Sequence, residues 1–147
     1  GLGLSVGNWL GGRYADKSVD RTLIITLASL SAVLVAFAAL MPFHLPVAVL
    51  VFLWGVASFA LVPPLQVRVM AAAHDAPNLA SSVNIGAFNL GNAIGAALGG
   101  AVIAGGLGYP AVSLAGAATS TIGLVMVLWA RRGSAPAERE RLAAGTC

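Results

Sequence analysis

The chain has 147 residues, of which 59% are hydrophobic and only 9% are Asp, Glu, Lys or Arg, and its mean hydropathy is +0.90. Soluble globular domains are about half apolar and about one quarter charged, so this composition excludes an ordinary water-soluble fold and points to a chain solvated by lipid. The formal net charge is +3, but the basic residues border apolar blocks instead of spreading over one face, which is a membrane pattern and argues against a nucleic-acid partner.

Residues 1–12, GLGLSVGNWLGG, are apolar but shorter than the ~20 residues a crossing helix needs. They lack the basic start of a signal peptide. They read as the end of a helix, and the chain as the C-terminal part of a longer protein. The next stretch, GGRYADKSVDR at 11–21, concentrates charge in Arg13, Asp16, Lys17, Asp20 and Arg21. Residues 22–67 then carry no charge. As helix they would measure about 69 Å, roughly twice the hydrocarbon thickness, so they must fold back once. Pro42 and Pro46 mark the turn, because proline interrupts helical hydrogen bonding. This predicts spans at about 22–41 and 46–67. A second uncharged block, 76–130, turns at the Gly105, Gly106, Gly108 and Pro110 cluster, which predicts spans at about 78–104 and 109–130. Residues 1–132 form the membrane domain and 133–147 a polar tail, helical in part near Glu138 to Leu142. The single Cys147 allows no internal disulfide.

Four spans with these turns put the charged stretch 13–21, the loop 68–77 and the tail on one side. All eight Lys and Arg residues fall there. The positive-inside rule makes that side cytoplasmic, with the C-terminus inside. The expected fold class is an all-α membrane protein of four transmembrane helices plus the end of a fifth.

The span 78–104 carries Gly91, Gly95 and Gly99 at four-residue spacing, with Ala87 extending the stripe. Such a stripe lets another helix approach closely in lipid. Asn84, Asn89 and Asn92 share this span, and an amide facing lipid is costly without a partner. Two readings stay open for each Asn, an interhelical hydrogen bond or a place on a substrate path. The preceding span ends in VPPLQVRVM. Pro63 and Pro64 there remove two backbone donors, which makes either a simple kink or a hinge at a gate. Trp54 lies mid-span with Ser58 one turn on, suited to packing or to a cavity wall. The spans 22–41 and 109–130 are plain, with hydroxyls able to bond back to their own helices.

Several chemistries have no residues to carry them. One Cys and two His residues, His44 and His74 in predicted loops, make no metal constellation, and no GxxxxGK[ST] occurs. No cofactor and no enzymatic activity are expected. No Asp or Glu lies within a predicted span, so a proton-coupling acid would have to come from another part of the protein.

The stretch GRYADKSVDR at 12–21 resembles the loop signature of the major facilitator superfamily, roughly G-x-L-a-D-[RK]-x-G-[RK]-[RK], in its second copy between helices 8 and 9. Val19 and Asp20 depart from that pattern. VPPLQVRVM and NIGAFNLGNAIGAALGGAVI resemble helices 10 and 11 of the drug–proton antiporter branch, especially the arabinose and sugar efflux permease-like carriers. The resemblance implies the second six-helix bundle of a twelve-helix bacterial inner-membrane carrier working by alternating access. It implies proton-coupled efflux of small organic molecules such as drugs or sugars, with protons handled by the N-terminal half. Gly12, Arg13, Asp16, Lys17 and Arg21 would form a conformational-switch loop. Trp54, Ser58, Asn89 and Asn92 would border the cavity, Gly91, Gly95 and Gly99 would allow helix packing, and Pro63 and Pro64 would shape a gate. An uptake carrier of the same fold and a non-transporting membrane scaffold are the alternatives.

Overall fold

The computed structural model describes residues 1–73 and 75–144, with side chains described through 132 apart from Pro77. His74 and the last three residues of the tail, Cys147 among them, lie outside the described residues. The described chain is a succession of helices: α1 (Leu2–Ala15), α2 (Val19–Leu40), α3 (His44–Ala60), α4 (Val62–Ala72), α5 (Pro77–Ala104) and α6 (Gly108–Ala144). Four stretches are long and apolar enough to cross a membrane: α2, α3 with α4 as one rod over His44–Ala72, α5, and α6 over Gly108–Arg132.

Residues 2–12 belong to α1, a helix of 14 residues. Gly3, Gly7, Gly11 and Ala15 are its buried residues, spaced by four and therefore on one face. That face lies directly on the backbone of α3. A Cβ built on Gly3 would sit 2.8 Å from the Phe52 carbonyl oxygen, and those on Gly7 and Gly11 would collide with the Val56 and Ala60 carbonyls. Any larger side chain would push the two helices apart, so glycine at three successive turns is what permits the contact.

The chain turns at residues 16–18. Ser18 caps α2, its Oγ accepting from the Arg21 N–H at 3.4 Å, and Asp20 in the first turn suits the positive end of the helix dipole. α2 begins three residues before the predicted span, and α4 ends five residues beyond it. Asp20, Arg21 and Arg68 therefore sit on helices, although the sequence places them in loops or at span borders.

α2 packs along α6. Ser120 Oγ donates to the Leu27 carbonyl at 3.2 Å, and the Thr121 and Ser31 hydroxyls meet at 3.3 Å. Thr119, Thr22 and Thr26 donate to carbonyls of their own helices, as expected for hydroxyls in plain spans.

The proline pair follows the joint between α3 and α4 within the rod over His44–Ala72. Leu61 joins α3 to α4 with right-handed helical backbone angles. Pro63 and Pro64 occupy the first turn of α4, where missing N–H groups cost least. The Leu65 N–H resumes the hydrogen bonding on the Leu61 carbonyl at 3.2 Å. Pro64 and Leu23 are the largest fully buried side chains among the described residues.

α5 turns into α6 through Gly106 and Gly108, at φ 75° and 77°, a backbone region that only glycine enters readily. Ala80 and Asn84 near the start of α5 are buried, but its most apolar 18-residue stretch is 0% buried, against 28% for that of the α3–α4 rod.

Candidate functional site

α4 and α5 meet through polar side chains. Asn84 on α5 is 8% exposed, and its Nδ2 donates to Gln66 Oε1 on α4 at 2.6 Å. Gln66 Nε2 in turn donates to Ser81 Oγ on α5 at 2.8 Å. One amide thus uses both its acceptor and its donor across the same interface. In a low-dielectric setting such bonds are strong when complete and costly when broken. Of the four Asn residues in α5, this is the one whose amide finds an interhelical partner among the described residues.

Beyond this polar bridge, α5 stands off from its neighbours. The stripe of Ala87, Gly91, Gly95 and Gly99 lines two hollows in succession. The first, about 270 Å³, lies between α4 and α5 against Leu65, Asn84, Phe88 and Asn92. The second, about 440 Å³, lies among α2, α3, α5 and α6, where Phe37, Trp54, Ser113 and Thr119 face Gly95 and Gly99. A Cβ added at Gly91 or Gly95 would meet nothing within 4 Å, and one at Gly99 would meet only Val112 Cγ1 at 3.5 Å. Within this chain the stripe widens space instead of closing it.

Trp54 and Asn92 thus line hollows. Ser58 is half-buried and Asn89 exposed, and neither lines these two hollows. Among the described residues neither Asn89 nor Asn92 has a hydrogen-bond partner.

At the charged end, Asp20 Oδ1 accepts from Arg68 Nη1 at 3.1 Å, with both side chains about two-fifths exposed. This bond holds the start of α2 beside the end of α4, so both termini lie at one end of the bundle. Asp20, one of the two residues at which the loop departs from the signature it resembles, carries the cross-helix ion pair. Asp16 is exposed and makes no ion pair among the described residues. Arg13 stacks 5.7 Å from the Trp9 ring centroid and Lys17 5.7 Å from that of Tyr14. A Cβ on Gly12 would meet nothing within 4 Å.

Sequence reasoning passed over Gln66, Ser81 and the ion pair, and over the glycines of α1. Gln66 is uncharged and short-range in pattern, so nothing along the chain links it to a residue 18 positions later. Gly3, Gly7 and Gly11, by contrast, repeat the spacing that singles out Gly91, Gly95 and Gly99, and that signal was readable.

Comparison with known proteins finds relatives that are named as transporters. It is 51% identical over 132 residues to "Inner membrane transport protein YdhP" of Escherichia coli (strain K12), covering 90% of this chain and 34% of that protein. It is 32% identical over 130 residues to "Uncharacterized MFS-type transporter YfhI" of Bacillus subtilis (strain 168), covering 88% and 33%. It is 31% identical over 132 residues to a "Probable sugar efflux transporter" of Helicobacter pylori, covering 89% and 32%. The chain spans about one third of the length of these relatives. No protein-family model and no solved structure matches it.

Proposed function

From the premise that this chain belongs with the major facilitator (MFS-type) transporters, we propose that it forms part of a carrier exporting small organic molecules, sugars or amphiphilic drugs, across a bacterial inner membrane. Export is driven by protons and proceeds by alternating access, with the C-terminus and the Asp20–Arg68 end cytoplasmic. The protein's work is carriage rather than catalysis.

The observation that carries this reading is the pair of unpartnered amides, Asn89 and Asn92, near the middle of a helix that otherwise spans lipid. Each amide left in hydrocarbon costs several kcal/mol, roughly 4–8 on a scale where nothing can compensate. A wet path beside them removes that cost. The hollow along Gly91, which Asn92 lines, supplies room for one, with Asn89 on the exposed face of α5 outside it, and in the next hollow Trp54 adds a flat apolar wall with a single donor. The sugar efflux name of one relative agrees with amide and indole groups as the recognising chemistry.

The coupling acid lies outside this stretch of chain. Among the described residues Asp20 is the one acidic residue within the four membrane-length stretches, and it sits in the first turn of α2, paired with Arg68. Its place suits an ion pair that holds one conformation, in concert with Arg13, Asp16, Lys17 and Arg21, and not a proton relay at depth.

Cells expressing the whole gene test the reading. Exclusion of a radiolabelled sugar or a fluorescent amphiphile, abolished by a protonophore, is the expected result. Accumulation would show uptake, and no flux in either direction would show a scaffold. Converting Asn89 and Asn92 together to Ala should cut flux about tenfold while leaving the protein in the membrane, consistent with loss of roughly 1.4 kcal/mol of substrate interaction.

A further inference from the structure

We propose that the hollow at the start of α2 binds the phosphate headgroup of an anionic membrane phospholipid, with an acyl chain lying along α2 below it. The hollow is about 500 Å³ and is lined by Tyr14, Lys17, Ser18, Arg21, Thr22, Ile25 and Thr26. Two cations and no carboxylate line it.

That imbalance is built by the helix geometry. Asp20 and Arg21 are neighbours, so they leave α2 in different directions. The Asp20 carboxylate is taken up by Arg68 at 3.1 Å on the α4 side. Arg21 is left with Lys17 on the other side, without a counter-charge among the described residues. The Tyr14 ring stands 5.7 Å from Lys17 Nζ and keeps the ammonium near the hollow. Guanidinium and ammonium together suit a phosphate: the first offers a planar fork, the second a compact charge.

The wall beneath is suited to an acyl chain. Ile25 lies one turn below Arg21 and is 63% exposed. Thr22 and Thr26 follow on the adjoining row, and their hydroxyls donate to the Ser18 and Thr22 carbonyls at 2.8 and 2.7 Å. No side-chain donor on this wall is therefore stranded against hydrocarbon. Cations at the mouth and a satisfied apolar wall below match the two parts of a phospholipid, not a free anion. Basic pockets at helix ends on the cytoplasmic side are where anionic headgroups concentrate. The proposal rests on the membrane-spanning reading but not on any transport activity.

The test is lipid selectivity of the full chain in reconstituted bilayers, read by electron spin resonance of spin-labelled phosphatidylglycerol against spin-labelled phosphatidylcholine. The wild-type chain should retain phosphatidylglycerol preferentially. Lys17→Gln with Arg21→Gln should lower that preference by about 30-fold, from two near-surface cations, while Arg131→Gln with Arg132→Gln should leave most of it. Lys17→Arg should keep it, which separates charge from folding damage. Equal losses in the two glutamine pairs would mean a diffuse positive face and overturn the site. Displacement of the lipid by millimolar inorganic phosphate would mean a free-anion site and overturn the lipid. A chain that inserts yet shows no preference overturns the site alone. One that fails to insert in either bilayer overturns the spanning reading and the site with it.

Discussion

Two glycine rows with the same spacing behave in opposite ways in this molecule. Gly3, Gly7 and Gly11 of α1 lie against the α3 backbone so closely that no Cβ fits. Gly91 and Gly95 of α5 face hollows in which a Cβ would touch nothing. The helix periodicity is identical. What differs is the partner. α3 presents Gly55, Ala57 and Ala60, all buried, toward its neighbours, so two small-residue surfaces can meet. α5 is bridged instead by Gln66, Ser81 and Asn84, which set a spacing long enough for side-chain amides. A row of small residues permits close approach, and it is the opposing surface that realises it.

The largest effect expected from breaking this contrast is at Gly7. Gly7→Val would drive a branched side chain into the Val56 backbone, which cannot yield as a flexible side chain could. A loss of about 3 kcal/mol is expected, at the upper end of ordinary overpacking costs, read as a lower denaturation midpoint in detergent followed by circular dichroism. A midpoint equal to that of the parent would mean that α1 is not held on α3 as described.

Gln66→Ala comes next. It leaves the buried Asn84 amide without its acceptor, which should cost about 2 kcal/mol. Replacing Gln66 and Asn84 together by Leu removes both ends of the bond, and the double variant should be closer to the parent than Gln66→Ala is. A double variant as damaged as the sum of its parts would indicate that the two amides do not act as a pair.

Gly95→Ala should be tolerated and should gain up to about 1 kcal/mol from helix propensity. Running this variant beside Gly7→Ala sharpens the comparison, since the same one-carbon change should have opposite signs at the two sites.

Asp20→Asn should have the smallest effect on stability. Its ion pair with Arg68 is partly exposed, so about 0.5 kcal/mol is expected, vanishing in high salt. A salt-independent loss would point to a geometric role for the carboxylate beyond charge attraction.

Much of the fold was readable along the chain because lipid imposes length and charge rules that act locally. Proline and glycine clusters placed the turns near residues 42 and 106 within a few residues. Helix ends were less readable. α2 and α4 run on through charged residues because Ser18 caps one helix and Asp20–Arg68 ties the two ends, and a cap or an ion pair depends on what lies across the interface.

The candidate site divides in the same way. Composition alone determined that this is a membrane-spanning α-helical chain, since a sequence this poor in charge cannot be solvated by water. Residue spacing alone determined which glycines share a face. Only the tertiary structure decided that the α1 face is closed and the α5 face open, that Asn84 has a partner while Asn89 and Asn92 do not, and that Arg68 takes up Asp20 while Arg21 faces a different hollow. Those outcomes turn on distances between residues far apart in the chain, and helical periodicity carries no information about which surface will stand opposite.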